Sequence, residues 1–236
     1  MQEFYRLPGG DVAAIDADSP FPPLDQALTS PNGLLAIGGE LNHERLLDAY
    51  RQGIFPWFSA GDPLLWWSPN PRMVLFPDEL KISRSLQQRL KKQDYEVRFD
   101  SAFRRVIEAC ATCPREGQPG TWIVPEIVEA YCRLYELGHA HSVETWIAGK
   151  LAGGLYGVSL GRMFYGESMF HLVNDASKIA FVHLVRHLAA QGVGMIDCQM
   201  KTAHLATFGA REISRQAFAE HLSDLVGTTG HTVTWA

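Results

Sequence analysis

The strand and helix patterns between residues 141 and 200 place the tightest limits on how this 236-residue chain can fold. Three runs of strand-forming residues are separated only by short turns, which predicts an antiparallel meander: HSVETWIAG, LAGGLYGVSL and RMFYGESMF. The strongest helix pattern of the chain follows, with Asn174 or Asp175 as the expected N-cap and Gly192 as the expected stop. A short apolar run, GMIDCQM, then predicts a buried strand. These patterns predict an α/β (α+β) fold.

Further patterns extend this order in both directions. Upstream, YEVRFD predicts a strand, SAFRRVIEACAT a helix capped by Asp100 or Ser101, and PEIVEAYCRLYELG a helix that ends at Gly138. Downstream, the sequence predicts a helical turn that ends at Gly209, then the helix SRQAFAEHLSDLV and a candidate last strand, HTVTW. A meander followed by helix, strand, helix and strand is the order of a GNAT-like acyltransferase sheet, and we expect this fold.

The first seventy residues differ from the rest because they are rich in turn-forming and aromatic residues. One helix stands out, with Asn42 as a good N-cap and Gly53 as a suitable C-terminal stop. We therefore predict a small N-terminal domain over residues 1–70, whose loops serve a larger GNAT-like domain over residues 71–236.

The composition is that of a globular protein, with 46% apolar and 20% charged residues and no apolar run long enough to span a membrane. The N-terminal stretch lacks the basic start and apolar run of a signal peptide, so we expect a cytoplasmic location. The net charge of −5 argues against a protein that coats nucleic acid non-specifically. Neither the cysteines nor the histidines form a recognisable zinc pattern, so no metal is expected.

A local basic patch exists nevertheless in KISRSLQQRLKK, residues 81–92, which contain no acidic residue. Ser83 can cap a helix here, with leucines on one face and the cations spread over the opposite arc: Arg84, Arg89, Lys91 and Lys92. A solvated helix face is the ordinary interpretation of such a run. In a chain of negative net charge, contact with phosphates is the more specific alternative.

Two carboxylates stand out because their sequence neighbours are apolar. Glu167 lies in MFYGESMF and Asp197 in GMIDCQM, where strand alternation places Asp197 and Gln199 on the same side. A buried carboxylate is costly unless a partner satisfies it, so each acid is either a structural group or part of a site. Trp57, beside a turn, is either a core residue or a stacking platform for a base.

Five motifs in order, GIFPWFSAGDPLLWWSPNPR, LGHAHSVE, YGESMF, NDASK and IDCQ, together resemble the bacterial leucyl/phenylalanyl-tRNA–protein transferase family. The resemblance extends from about residue 21 to residue 212. It implies a small N-terminal domain joined to a GNAT-like domain. The implied activity moves leucine or phenylalanine, and methionine less well, from aminoacyl-tRNA onto proteins that begin with arginine or lysine, marking them for degradation. We expect a monomer that needs no metal or organic cofactor and no membrane.

The resemblance also implies roles for individual residues. Trp57 and Trp122 match tryptophans that hold the aminoacylated 3′ end. Glu167 matches a family acid, and Asp197 and Gln199 match the polar pair at the reacting ester. Met169, Phe170 and Ile196 match stretches that line the apolar side-chain pocket. The basic helix departs in part from the family, because Gln87 and Gln88 stand where relatives can carry cations, while Arg84, Lys91 and Lys92 remain.

The implied reaction suggests a mechanism without a strong base. The donor is an activated ester, and an α-amine with an unperturbed pKa of about 7.7–8.0 is partly neutral at cytoplasmic pH. The hypothesis is that Asp197 orients Gln199, whose amide positions the incoming amine and assists its proton loss. Glu167 then contacts a cation, either the acceptor's basic side chain or the amine itself. Proton transfer through the ribose hydroxyl of the tRNA is the alternative.

Two other functions compete with this interpretation. An acetyl-CoA-dependent N-acetyltransferase would carry a glycine-rich pyrophosphate loop before the long helix, but this chain reads HLVNDASK there, without glycine. A non-enzymatic module that binds basic peptide N-termini would use Glu167, but it would leave the basic helix and the loop tryptophans without a purpose.

Overall fold

The computed structural model describes residues 3–92, 94–113, 121–227 and 233–235. These residues form two β-sheets, of five and seven strands, together with α-helices that cover the larger sheet. Among them, no helix combines the length and the apolar character needed to cross a bilayer.

The smaller sheet occupies the region that the sequence predicted as mostly loops. Its strand order is β1-β2-β3-β5-β4, with these bounds: β1 Phe4–Leu7, β2 Gly10–Ile15, β3 Leu34–Gly38, β4 Phe55–Pro56 and β5 Leu65–Trp67. The strands are two to six residues long, too short to show a clear alternation in the sequence. The single predicted helix is confirmed as α1, His43–Arg51, where the Asn42 side chain accepts a hydrogen bond from the Arg45 amide at 2.8 Å.

The larger sheet has the order β12-β6-β11-β10-β9-β8-β7. Its strands are β6 Arg72–Leu75, β7 Glu96–Phe99, β8 Ala140–Ile147, β9 Lys150–Leu160, β10 Met163–His171, β11 Met195–Gln199 and β12 Arg211–Ile213. Strands β8, β9 and β10 form the predicted antiparallel meander, and β11 returns parallel to β10 after a helix. The α/β (α+β) class is therefore confirmed, as is the GNAT-like order of meander, helix and strand from β8 to β11.

Six further helices accompany this sheet in the described residues: α2 Arg84–Leu90, α3 Phe103–Thr112, α4 Pro125–Glu136, α5 Ala176–Ala190, α6 Ala203–Ala206 and α7 Arg215–Val226. Alternation along the central strands divides the core into two clusters. Tyr165 and Met195 belong to the cluster that contains α3, α4 and α7, whereas Phe164 and Ile196 belong to the cluster that contains α2 and α5. Each face of the sheet is thus covered by helices.

The first cluster also connects the two sheets. Tyr50 of α1 and Trp66 of β5 are fully buried in it together with Tyr131 and Tyr165 of the larger sheet's side. Strand β5 ends at Trp67 and β6 begins at Arg72. The division into domains 1–70 and 71–236 stays a prediction, because the hydrophobic core is continuous across that boundary.

Several predicted caps behave differently from expectation. Ser83 caps α2 as predicted, but neither Asp100 nor Ser101 caps α3. The Asp100 carboxylate accepts from the Ser142 amide at 2.8 Å, and the Ser101 hydroxyl donates to Glu144 at 2.6 Å, so tertiary partners take both side chains. Asp175 holds the N-cap position of α5, but its carboxylate binds Lys178 at 2.6 Å instead of a helix amide.

The predicted last strand, HTVTW, is only partly testable because His231 and Thr232 lie outside the described residues. Residues 233–235 are described and are not in a strand. Val233 is buried, and the Trp235 ring stacks on the His141 ring at a centroid distance of 4.1 Å.

The pairing of β9 with β10 in the larger sheet can be tested directly. Gly157 and Gly166 face each other across the two strands. A Cβ on Gly157 would meet the Tyr165 carbonyl oxygen at 2.2 Å, whereas a Cβ on Gly166 would meet nothing closer than the Asp197 carbonyl oxygen at 3.5 Å. We predict that Gly157→Ala lowers the free energy of unfolding in urea by about 1–3 kcal/mol, because the backbone has to move. Gly166→Ala is the matched control, and equal losses in both variants would contradict the predicted strand packing.

Candidate active site

The candidate site lies where β10 and β11 stop pairing. Their parallel pairing ends at Tyr165 and Asp197, although β10 continues to His171 and β11 to Gln199. Each strand is irregular just beyond this point, with a register shift between Gly166 and Ser168 in β10 and a second shift after Asp197 in β11. The sheet therefore opens, and backbone that would otherwise be paired becomes the wall of a pocket.

The pocket has a volume of about 360 Å³. Its floor consists of buried apolar side chains from three strands and α5: Leu155, Phe164, Phe181, Leu184 and Ile196. The rest of the lining includes five partly exposed residues: Trp57, Trp122, Glu167, Met169 and Gln199. The pocket therefore combines a dry apolar floor with aromatic and polar groups nearer the solvent.

The carboxylate of Asp197 is completely buried and paired with Arg72, whose side chain is 1% exposed. Arg72 donates from Nε to Oδ1 at 2.8 Å and from Nη2 to Oδ2 at 2.6 Å, and a third nitrogen, Nη1, donates to the Gly53 carbonyl at 3.1 Å. The guanidinium also lies near the rings of Phe55 and Phe218, with distances of 4.8 and 4.5 Å to their centroids. The partner that this buried acid requires is therefore an arginine 125 positions away in the sequence.

The backbone of Gln199 is held by the same carboxylate. Its amide donates to Oδ1 of Asp197 at 2.9 Å, and its φ of +55° lies in the left-handed region. Because Cys198 is the extra residue of the β11 irregularity, the simple alternation expected from the sequence does not hold here. The Gln199 side chain instead reaches across the opening, where Nε2 donates to Oε1 of Glu167 at 3.2 Å.

Glu167 lies at the β10 irregularity and accepts hydrogen bonds from two buried phenols. Tyr50 donates to Oε1 at 2.8 Å and Tyr131 donates to Oε2 at 3.2 Å, and the two phenol oxygens are also in contact with each other. Burial raises the pKa of Glu167 to about 7, while the Tyr50 hydrogen bond opposes this rise and the Asp197 charge adds to it. Burial likewise raises the pKa of both phenols well above their usual range, so they remain protonated donors. This carboxyl can therefore gain or lose a proton near neutral pH.

Sequence reasoning missed Arg72, Tyr50 and Tyr131. Arg72 stands at a strand start after the Asn70-Pro71 turn, and only its position in an apolar run, RMVLF, marks it as buried. Tyr50 and Tyr131 lie on the inner faces of α1 and α4, where a buried aromatic residue is typical of an ordinary hydrophobic core. Their hydroxyl groups become significant only when the fold brings them to Glu167.

The two tryptophans singled out from the sequence both line the pocket, in partly exposed positions. The Trp57 ring makes an edge contact with Trp67 at 5.5 Å, and the Trp67 indole donates to the Trp57 carbonyl at 2.6 Å. This support fixes the backbone of Trp57 while leaving part of its ring accessible. Trp122 comes from the segment just before α4.

The three predicted apolar pocket residues separate into two groups. Met169 and Ile196 line the pocket. Phe170 does not: it is buried in the core cluster on the opposite face of the sheet, because neighbouring residues of a strand point to opposite sides. Met169 and Ile196 therefore lie at the site, whereas Phe170 lies in the core on the other face of the sheet.

The cations of residues 84–92 differ in their exposure and in their ion pairing. Arg84, Lys91 and Lys92 are exposed, and within the described part of the chain none of them forms an ion pair. Arg89 is different, since its guanidinium binds Asp94 at 2.5 Å and its side chain is only 15% exposed. Asp94 lies just outside the stretch that contains no acidic residue, which is why Arg89 looked uncompensated in the sequence.

Three backbone amides of the loop before α5 bind acceptors within the protein. The amides of Leu172 and Val173 both donate to the Ala152 carbonyl, at 2.8 and 3.2 Å, and the Ala176 amide donates to the Val173 carbonyl at 3.1 Å. Because these donors are satisfied within the protein, they are not available to phosphate oxygens. This agrees with the lack of glycine in HLVNDASK.

Comparison with solved structures finds loose similarities. L-PGS from Bacillus licheniformis is 11% identical, with a TM-score of 0.39, over 80% of this chain and 64% of that one. A GCN5-related N-acetyltransferase from Kribbella flavida is 7% identical, with a TM-score of 0.40, over 71% of this chain and 60% of that one.

Comparison of sequences gives much stronger matches. Leucyl/phenylalanyl-tRNA–protein transferase of Chromobacterium violaceum is 68% identical over 87% of this chain and 88% of its own length, and that of Nitrosomonas europaea is 62% identical over 95% and 94%. The model of the leucyl/phenylalanyl-tRNA–protein transferase family matches residues 74–223, and that of the family's N-terminal domain matches residues 39–70. The chain belongs to the leucyl/phenylalanyl-tRNA–protein transferase family.

Proposed function

We propose that this protein transfers leucine or phenylalanine, and methionine less well, from aminoacyl-tRNA to the N-terminal amine of acceptor proteins that begin with arginine or lysine. The product carries a new N-terminal degradation signal. The observation that carries the proposal is the opened sheet, which combines an apolar floor, two accessible tryptophans and the Glu167–Gln199 pair in one pocket. The protein acts as a monomer in the cytoplasm, where charged tRNA is found.

The donor occupies the pocket in two parts. The apolar floor, with Met169 and Ile196, receives the leucine or phenylalanine side chain, because removing this surface from water favours binding. The rings of Trp57 and Trp122 hold the terminal adenosine, since aromatic stacking of a base contributes about 1–3 kcal/mol. The ester carbonyl then lies between these two parts, at the polar wall.

Asp197 acts as a positioning residue in this mechanism. Both of its oxygens accept hydrogen bonds from Arg72, and one of them also accepts from the Gln199 amide. The carboxylate fixes the left-handed backbone of Gln199 and thereby aims the carboxamide across the opening. The hypothesis that Asp197 orients Gln199 therefore gains a specific route, through the backbone.

Gln199 binds the incoming amine. Its Nε2 donates to Glu167, which leaves the carboxamide oxygen as an acceptor for an N–H of the acceptor's terminus. Holding amine and ester carbonyl in attack geometry can lower the barrier by several kcal/mol, about 7–11 at the limit. A side chain fixed at both ends is suited to this task.

Glu167 takes the proton that the ammonium form of the acceptor must lose. A carboxyl with a pKa of about 7 lies close to the pKa of the amine, about 7.7–8.0 in model peptides, so the transfer is nearly balanced. The neutral amine attacks the ester carbon, the C–N bond forms, and the bond from that carbon to the ribose oxygen breaks. The ribose oxygen leaves with the proton that Glu167 returns to it. The attacking nitrogen, which still carries one proton more than an amide, gives that proton to the regenerated Glu167 carboxylate, and Glu167 then loses it to solvent.

The test of the function is direct transfer. The purified protein is incubated with tRNA charged with labelled phenylalanine and with two peptides that differ only in an N-terminal arginine or alanine. We expect labelled product with the arginine peptide and little with the alanine peptide. Free phenylalanine alone as the labelled product, with either peptide, would contradict the proposal.

The role of Gln199 predicts a kinetic defect without a binding defect. Gln199→Ala removes the acceptor for the amine but leaves the apolar floor and both tryptophans, so single-turnover transfer should fall by about 100-fold or more while the dissociation constant for charged tRNA stays within a fewfold. Gln191→Ala just after α5, which removes a carboxamide outside the pocket, is the control. Wild-type transfer by Gln199→Ala would exclude this role.

The pKa of Glu167 predicts two pH dependences. Between pH 4.5, the ordinary pKa of a glutamate, and about 7, the folded state binds more protons than the unfolded state, so this group's contribution to stability is full at low pH and is lost as the pH rises. Over the same range the transfer rate should rise as Glu167 becomes a proton acceptor. Glu167→Gln should flatten both profiles, measured by urea unfolding and by single-turnover rates. A rate profile identical to that of the wild type would remove Glu167 from the proton path.

The Arg72–Asp197 pair predicts that stability and activity can be separated. Asp197→Asn leaves a buried guanidinium without a counter-charge and should cost about 3–5 kcal/mol of stability. The double variant Arg72→Met/Asp197→Leu has no buried charge and should recover most of this loss, but it should remain inactive because the Gln199 amide has lost its acceptor. Transfer by the double variant at the wild-type rate would show that the pair has no positioning role.

A further inference from the structure

Helix α5 has two functional faces. Its inner face contributes Phe181 and Leu184 to the floor of the pocket. His183 and Arg186 lie on the outer side of the same 15-residue helix, one turn apart. Arg186 is exposed and, within the described residues, forms no ion pair. A guanidinium that is held on a rigid helix and left without a carboxylate is available to an external anion.

Tyr95 joins this outer face to the end of α2. Its hydroxyl donates to the Leu90 carbonyl at 3.1 Å, and its ring meets the His183 ring edge-on at a centroid distance of 6.0 Å. Arg89 covers the same ring at 5.4 Å, and both Arg89 and Arg186 act electrostatically on the Tyr95 phenol. The C-terminal turn of α2 and the outer turn of α5 therefore form one continuous surface.

The charges on this surface do not cancel. The two acids beside Tyr95 in the sequence are each paired with an arginine: Asp94 with Arg89 and Glu96 with Arg98. Burial lowers the pKa of His183, as does the charge of Arg186, so the imidazole is neutral at pH 7 and adds no charge. What remains is a set of exposed cations without ion-pair partners in the described residues: Arg84, Lys91, Lys92 and Arg186. In a chain of net charge −5, this is a segregated positive face.

We propose that Arg186 binds a backbone phosphate of the tRNA acceptor arm, so that the RNA-binding face extends from α2 across Tyr95 onto α5. This inference rests on the proposed function. Arginine suits the task because its planar guanidinium can donate two hydrogen bonds to one phosphate. Since the helix that carries Arg186 also walls the amino-acid pocket, a single rigid element sets the distance between a phosphate contact and the aminoacyl side chain.

The test compares Arg186→Gln with the wild type and with a matched control. Arg6→Gln removes one exposed arginine from β1 of the smaller sheet, away from this face. Dissociation constants for charged tRNA are measured between about 50 and 200 mM salt. Arg186→Gln should weaken binding by about threefold to tenfold at the lower salt and reduce the slope of log K against log salt by about 1, because one phosphate contact is lost. Arg6→Gln should leave both values unchanged.

Two results would overturn the contact. One is a wild-type affinity and slope for Arg186→Gln, and the other is an equal effect of Arg6→Gln, which would indicate a general charge effect. Thermal unfolding should give nearly the same midpoint for all three proteins, because Arg186 makes no ion pair in the described structure and the Arg6–Asp11 pair lies on the surface, where such pairs contribute little. Transfer to the arginine peptide is measured in the same samples. Absence of product with the wild type would reject the proposed function itself, whereas normal product with unchanged binding by Arg186→Gln would reject only the phosphate contact.

Discussion

The buried ion pair between Arg72 and Asp197 is the contact on which the geometry of the site depends. It joins β6 to β11 at the point where β11 leaves its neighbour β10, and the same carboxylate holds the Gln199 amide. Removing two charges from water costs several kcal/mol per ion, and their attraction only about repays that cost when the geometry is good. Replacing a buried ion pair by apolar residues of similar volume is often neutral for stability. We therefore attribute to the pair a role in fixing the position of Gln199.

The opening of the sheet is the second constraint. A strand that stops pairing exposes polar backbone, which is unfavourable unless other groups satisfy it. Here the irregularities at Glu167 and Cys198 end the pairing within two residues and turn side chains from both strands into one space. The floor below remains part of the hydrophobic core, with Phe164 and Ile196 fully buried. The apolar floor and the polar Glu167–Gln199 pair thus come from the same two strands.

Local patterns in the sequence were enough to predict five of the seven strands of the larger sheet, β7 to β11, but not β6 or β12. The meander, α5 and β11 were found because their alternation, their periodicity and the glycines at their ends agree with the final structure. The small sheet was missed because strands of two to six residues leave too little pattern. The cap of α3 was wrong because Asp100 bonds to Ser142, a residue on a distant strand.

The candidate site shows the same division between local and distant information. Glu167, Asp197 and Gln199 were noticed because a polar residue in an apolar strand is unusual wherever it occurs. Arg72 and Tyr131 were not, since nothing in their own sequence surroundings distinguishes them from a strand start and a core aromatic. Their importance arises from contacts over 125 and 36 positions. Comparison with relatives identifies the family, whereas the contacts of Arg72 and Tyr131 are visible only in the folded structure.

The central claim is that one pocket holds the aminoacyl group and presents its carbonyl to Gln199. The most direct measurement is a crystal structure with a stable analogue in which phenylalanine is joined to the 3′ position of adenosine through an amide. The account predicts the phenyl ring on the floor beside Ile196, the adenine against Trp57, and the carbonyl carbon facing the Gln199 carboxamide. An analogue bound outside this pocket, or bound with its carbonyl turned away from Gln199, would contradict it.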